Sequence, residues 1–371
     1  MDERIWLSSP HMGNQEQKYV NEAFETNWIA PLGPNVTKFE NTLENYLGNS
    51  KKIAALNSGT SALHLALILA GVTKGDEVLS QSFTFSGSVN PVIYLGAIPI
   101  FVDSERETWN MCPELLETAI KARLKVGVKP KAIVVVHSHG MPYKVDEMDV
   151  ISKKYNIPVI EDAASAFGSE VNGKKCGTFG DFSVLSFNGN KIITTSCGGA
   201  LVVKTEEEKK NAIFLATQAR DHAPHYQHSH IGYNYRMSNV LAGIGRGQME
   251  VIDSRVNARR KNFEVYKKAL SDTGIYFLNE PPKFKSNRWL TSVLTKSFEQ
   301  REKIRVSLES KNIETRPLWK PMHLQPVFKN CLHFTNGVSE ALFQRGLCLP
   351  SGSNLTNENI VKVIKELKKA I

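Results

Sequence analysis

Ile53-Ala54-Ala55-Leu56-Asn57-Ser58-Gly59-Thr60-Ser61-Ala62-Leu63 reads as a short apolar strand that passes through small polar residues into an amphipathic helix over residues 61–71. A run of that length bounded by turn residues is a strand, and the helical spacing behind it makes a strand–helix unit. The alternation continues outward. Glu77-Val78-Leu79 precedes a helical pattern over 86–96, the runs 98–102 and 132–136 are strand-like, and a helix over 145–155 leads to Pro158-Val159-Ile160. Strands separated by such helices are crossover units, which build a mostly parallel sheet. Strands that are apolar throughout need helices on both faces. The fold class is α/β.

Residues 181–187 and 199–203 follow without a full helix between them, which predicts an antiparallel element at that point. A long helix is expected over 236–270, then a smaller α+β part with a strand near 289–294 and helices near 300–311, 338–345 and 357–370. Ahead of the first strand lie one helix over 15–26 and the turn Pro31-Leu32-Gly33-Pro34. The division is therefore a large domain at 1–250 and a small one at 251–371.

Composition narrows the function classes. With 371 residues, 41% hydrophobic and 22% charged, the chain has the profile of a globular protein, not of a disordered, collagen-like or coiled-coil one. The excess of 46 Lys and Arg over 37 Asp and Glu gives +9 and permits an anionic partner, but no basic cluster interleaves with aromatics, so nucleic acid is not expected. Cys112, Cys176, Cys197, Cys331 and Cys348 are odd in number and form no C-x-x-C pair. Neither a disulfide framework nor a zinc ribbon fits, and a reducing cytoplasm is expected. The start, Met1-Asp2-Glu3-Arg4, is charged, and the longest apolar run, 62–72, contains His64 and is too short for a membrane span.

Three places carry chemistry. The helix start at Asn57-Ser58-Gly59-Thr60 offers free backbone N–H groups and the positive end of a helix dipole, which suit a phosphate; alone, it is also an ordinary helix cap. Val159-Ile160-Glu161-Asp162 puts a carboxylate at the carboxyl end of a buried strand, where open α/β sheets bind ligands. Ser186-Phe187-Asn188-Gly189-Asn190-Lys191 ends an aromatic strand in small polar residues and a Lys, and an enclosed Lys has the lowered pKa that carbonyl chemistry needs. A phosphate cradle, a carboxylate for a pyridine nitrogen and an amine for an aldehyde together suit pyridoxal 5'-phosphate. Two further patterns read otherwise. His222, His225, His228 and His230 lie in a polar loop without supporting metal ligands, and no metal is assigned. Gly243, Gly245 and Gly247 imitate a dinucleotide fingerprint but fall inside a helical pattern with no strand before it, so helix packing explains them.

As an ordered set, Trp28 to Pro34, Asn57 to Leu63, Ser82-Phe83-Thr84-Phe85, Glu161 to Ala164, Gly177 to Asp181, Ser186 to Lys191, Gly232 to Asn239 and His323-Leu324-Gln325-Pro326 resemble the DegT, DnrJ, EryC1 and StrS sugar aminotransferases, along essentially the whole chain. The resemblance implies a fold-type I aminotransferase with a seven-stranded large sheet and pyridoxal phosphate as cofactor. It makes Lys191 the attachment point, Asp162 the pyridine-nitrogen partner and Phe85 the stacking ring, with Gly59, Thr60 and Ser186 on the phosphate. Asn239 is expected to reach the phosphate of a neighbouring subunit in a homodimer with shared sites. Ser165 is carried as a cofactor contact although it departs from the pattern, which often places a larger polar residue there.

The implied reaction moves an amine from glutamate to C4 of a nucleotide-linked 4-keto-6-deoxy sugar. Trp28 to Pro34, Ser186 to Thr195 and Ile231 to Met237 look most like UDP-N-acetylbacillosamine transaminases, which implies a UDP-2-acetamido sugar and bacterial glycan biosynthesis. Trp28, Arg236 and His323 are the candidate substrate contacts. GDP-perosamine and dTDP-amino-sugar synthesis are the alternatives within the family. A non-catalytic regulatory protein with this fold is the alternative outside it, and the retained Lys191 and Asp162 disfavour it. Lys191 also argues against the sugar dehydratase branch, which has His there.

Overall fold

The computed structural model describes residues 3–371; Met1 and Asp2, part of the charged start, lie outside the described residues. The main sheet has eight strands, in the order Lys52–Leu56, Gly199–Val203, Phe182–Ser186, Val159–Asp162, Ala132–Val136, Glu77–Gln81, Ile98–Val102 and His333–Phe334. Gly199–Val203 runs antiparallel to both its neighbours, as the missing crossover helix predicts. The remaining pairings are parallel. Seven strands come from the first part of the chain; the eighth, His333–Phe334, comes from the C-terminal part and pairs with Phe101 and Val102. At two residues it is too short to show any periodicity in sequence.

Ile53, Leu56, Leu79, Ile133, Val135, Ile160 and Leu201 are fully buried, and the helix Gly59–Leu69 buries Ala62, Leu63, Leu65, Ala66 and Leu67 against the sheet. A second apolar core holds Phe263, Tyr266, Ile304, Leu308, Leu347, Val363 and Leu367, together with Ile5 from the start of the chain. It lies on a four-stranded antiparallel sheet ordered Tyr276–Phe277, Thr291–Leu294, Gly346–Leu349 and Arg316–Pro317. The helix Asn357–Ala370 shows how sequence sets this packing: Ile360, Val363, Leu367 and Ala370 recur at helical spacing on one buried face.

The expected long helix is two, Asn239–Met249 and Ile252–Ala269. The two bury different faces against different neighbours, so the chain must turn between them. Asn239–Met249 sets its glycine stripe against Glu16–Glu25 and Pro34–Tyr46: a Cβ at Gly245 would sit 2.7 Å from the Phe39 ring and one at Gly247 2.6 Å from Glu16 N. Ile252–Ala269 instead buries Phe263 and Tyr266 in the C-terminal core. Among the described residues no helix is long and apolar enough to cross a membrane.

Candidate active site

Ser58 caps the helix Gly59–Leu69, its Oγ accepting the Ser61 N–H at 3.0 Å. The Gly59 and Thr60 N–H groups belong to the first turn and have no intrahelical acceptor, so they face out of the helix end. A Cβ on Gly59 would lie 3.1 Å from Ser186 Cβ, which keeps this end against the close of the Phe182–Ser186 strand. Gly199 allows the approach from below: a Cβ there would come 2.3 Å from the Ser58 carbonyl carbon and 2.4 Å from Gly59 N.

Asp162 closes its strand and is buried, 6% exposed. Its Oδ2 accepts from Ser88 Oγ at 2.6 Å and its Oδ1 from the Ala164 N–H at 3.0 Å. Lys191 stands in the same cavity, half-buried, with Nζ 3.3 Å from Ser165 Oγ and 4.2 Å from the centre of the Trp289 ring. Burial lowers the Lys191 amine to about 8, with the Asp162 carboxylate pulling the other way. The cavity measures about 790 Å³ and is lined by Gly59, Thr60, Phe85, Asp162, Ser165, Ser186 and Lys191 among others. Phe85 is 63% exposed beside it, an apolar ring facing open space.

These residues fit pyridoxal phosphate on their own chemistry. One end of the cavity offers backbone N–H donors in a cradle that a Cβ on Gly59 would crowd. A hydrogen-bonded carboxylate stands further in, and a Lys amine of depressed basicity lies beside it.

Four expected residues lie elsewhere. Arg236 donates to Glu40 Oε1 at 2.5 Å and to the Ala55 carbonyl at 2.8 Å, so its Nη1 braces the first strand, outside the cavity lining. His323 is buried between Ser82 Oγ at 2.6 Å and Glu340 at 3.3 Å, stacked on His333. It is packing, away from the cavity lining. Trp28 is 40% exposed and also outside the lining. Asn239 is buried within its own chain: Oδ1 accepts the Asn35 and Val36 N–H groups at 2.9 and 3.3 Å, and Nδ2 donates to the Trp28 carbonyl at 3.1 Å. One amide hydrogen is left to it.

His222, His225, His228 and His230 are exposed in their loop. A different trio, His137, Glu161 and Cys176, is clustered and buried. Its hydrogen bonds account for it: His137 Nδ1 accepts the Tyr143 N–H at 3.1 Å, which leaves Nε2 to donate to Glu161 at 2.7 Å. Glu161 also accepts from Gly177, Phe179, Gly180 and Ser183.

Sequence reading missed Ser88, His139, Trp289 and Trp319, all of which line the cavity. Ser88 carries a signal in hindsight, three residues beyond Phe85 and in the same turn. Trp289 and Trp319 come from distant segments that only the folded chain brings to Lys191.

The model of the DegT/DnrJ/EryC1/StrS aminotransferase family matches residues 10–368. The chain is 50% identical over 372 residues to EpsN of Bacillus subtilis, named as a pyridoxal phosphate-dependent aminotransferase, covering 99% of this chain and 96% of that protein. It is 37% identical over 365 residues to GDP-perosamine synthase of Escherichia coli O157:H7, covering 98% of each. Among solved structures, the PLP form of the sugar aminotransferase Spr1654 of Streptococcus pneumoniae superimposes with a TM-score of 0.91 at 27% identity, over 99% of this chain and 98% of that one.

Proposed function

The chain belongs to the DegT/DnrJ/EryC1/StrS aminotransferase family, and from that premise we propose that it moves an amino group from glutamate to C4 of a UDP-linked 4-keto-6-deoxy-N-acetylhexosamine. It is a sugar aminotransferase, and its cofactor is pyridoxal phosphate. The observation that carries the reading is the Lys191 amine, lowered to about 8 by burial and facing Asp162 in one cavity.

When bound, the cofactor supplies an aldehyde for an amine and an electron sink for the carbon that loses its proton. The protein does the rest. The Gly59 and Thr60 N–H groups and Ser186 would hold the phosphate. Asp162, kept in place by Ser88 and the Ala164 N–H, would hold the proton on the ring nitrogen. Phe85 would stack on the ring. Lys191 Nζ takes the proton from the α-carbon of glutamate in the first half-reaction and delivers one to C4 of the sugar in the second.

The likeness of Trp28 to Pro34, Ser186 to Thr195 and Ile231 to Met237 to UDP-N-acetylbacillosamine transaminases supports the UDP sugar and a role in bacterial glycan biosynthesis in the cytoplasm. A GDP-linked 4-keto sugar is the second reading, favoured by the 37% identity to GDP-perosamine synthase. A glutamate-dependent assay across UDP-, GDP- and dTDP-4-ketosugars decides between them. A GDP or dTDP preference above about tenfold in kcat/KM, roughly 1.4 kcal/mol of discrimination, overturns the UDP assignment and leaves the aminotransferase intact.

The active unit in this reading is a homodimer in which Asn239 offers its spare amide hydrogen to the partner's cofactor phosphate. Ile93 and Tyr94, the latter against His64, are exposed and offer apolar surface to a partner. A fully active monomer at assay concentration refutes it. The two domains are taken as 1–250 and 251–371; the core around Phe263 draws mainly on the second, with Ile5 from the start of the chain.

A further inference from the structure

His139 is the anomaly of the cavity. It is 4% exposed, yet neither ring nitrogen has a hydrogen-bond partner among the described residues. A buried polar group left unpaired is unfavourable. Its backbone is left-handed, with φ 53° and ψ 22°, a further strain for a side-chain-bearing residue. The surroundings hold it in that state. The next residue, Gly140, accepts from Ser169 Oγ at 2.8 Å and Ser286 Oγ at 2.9 Å through its carbonyl. The imidazole is stacked on Trp319 at 4.1 Å and lies near Trp289, the ring that also carries Lys191 Nζ. A ring fixed so firmly with both nitrogens unspent is arranged for a partner that enters the cavity it lines.

The sheet order says which part of the ligand that is. From one edge inward, the strands Lys52–Leu56, Gly199–Val203 and Phe182–Ser186 carry the phosphate end; Val159–Asp162 carries the carboxylate; Ala132–Val136, which leads into His139, comes next. His139 is thus on the opposite side of Asp162 from the phosphate cradle. In pyridoxal phosphate the phosphate arm and the 3-oxygen sit on opposite sides of the axis joining the ring nitrogen to the aldehyde carbon. Asp162 takes one end of that axis and Lys191 the other, so the edge bearing the 3-oxygen faces the His139 flank. The polar side chains there are Ser165 and His139. The Ser165 hydroxyl accepts from Lys191 Nζ at 3.3 Å, whereas the two imidazole nitrogens of His139 are both unspent.

We propose that the His139 imidazole donates a hydrogen bond to the 3-oxygen of pyridoxal phosphate, a contact that rests on the cofactor site assigned above. Burial and the nearby Lys191 charge push the imidazole down to about 3, so it is a neutral ring with one N–H to give throughout the working range. Lys191, Asp162, Glu314 and Arg316 are the charged groups that line the cavity with it.

The test reads the cofactor's visible absorption band against pH in the loaded protein, with cofactor affinity alongside. A donor to the 3-oxygen stabilises its deprotonated form and keeps the midpoint of the band low. His139→Phe preserves the stack on Trp319 and removes the donor; the midpoint is expected to rise by about one pH unit and cofactor affinity to fall about tenfold. His139→Gln, which restores an N–H donor, is expected to recover part of both, and it carries the test if the Phe variant does not fold. Unchanged midpoints in both variants overturn the proposal, as does a shift in Ser165→Ala with none in His139→Phe. Failure of the wild-type protein to form a borohydride-fixable linkage at Lys191 overturns the site assignment itself, and that result is read before any His139 variant is made.

Discussion

Ser88 Oγ donates to Asp162 Oδ2 across 2.6 Å, and the same hydroxyl lies 2.8 Å from Thr84 Oγ1. The carboxylate that closes a sheet strand is thereby aimed by the turn that follows Phe85. A hydrogen bond to a charged group contributes about 1.5–3 kcal/mol. Ser88→Ala is expected to weaken cofactor binding about tenfold or more, read by fluorescence titration, with little loss of melting temperature. Wild-type affinity in this variant counts against the aiming role.

Lys191 sets a pH dependence whose sign follows from burial. Its folded value is lowered to about 8, so the amine is charged below that pH and neutral above it. In cofactor-free protein, labelling by trinitrobenzenesulfonate is expected to include one fast-reacting amine whose rate rises with pH and is half-maximal near 8, absent in Lys191→Ala. Lys191→Ala is also expected to abolish transamination and the borohydride-fixable linkage. A labelling rate that rises only in the ordinary lysine range contradicts the assignment.

Much of this site is legible in sequence because strand ends are. Asp162 and Lys191 each follow an apolar run, and Gly59 precedes a helical pattern, so local periodicity places all three at one edge of a parallel sheet. The intrachain contacts of Arg236 and His323 were illegible for the converse reason. Nothing local announces that Glu40 waits for Arg236, or that Ser82 and Glu340 flank His323. His139 was passed over because its oddity is a left-handed backbone and two unspent nitrogens, neither of which has a sequence signature. The break between Asn239–Met249 and Ile252–Ala269 was hidden by continuous helical spacing, since the change is in what each half packs against.

Gly199→Ala is expected to disturb the phosphate end more than the sheet. The added carbon would meet backbone atoms of Ser58 and Gly59 at 2.3 and 2.4 Å, which cannot rotate away as a side chain can. A destabilisation of about 1–3 kcal/mol follows, together with loss of affinity for inorganic phosphate and for the cofactor. Denaturant unfolding and equilibrium binding measure the two. Retention of both means that the strand end shifts more freely than its packing implies.

Arg236→Met is expected to lower stability and leave the KM for nucleotide sugar within about threefold. Its partner Glu40 is buried and retains a second cation, Lys209 Nζ at 3.4 Å, so the loss is expected to fall below the about 3–5 kcal/mol of a fully stranded buried charge. The double variant Arg236→Met, Glu40→Leu is expected to regain little of that loss, because Glu40 also accepts the Ala55 N–H at 2.8 Å and pairs with Lys209. A large rise in KM at unchanged stability returns Arg236 to the substrate.

Trp289 Nε1 donates to the Asn190 carbonyl at 2.6 Å while Lys191 Nζ lies over the same indole. The residue belongs to the C-terminal part of the chain, but it latches the loop of the N-terminal part that bears the amine. The two parts are consequently not interchangeable modules. A chimera joined near residue 250, made to import the sugar preference of a relative, must bring an indole in register with Asn190, or it frees Lys191 into solvent and surrenders the depressed basicity that its chemistry depends on.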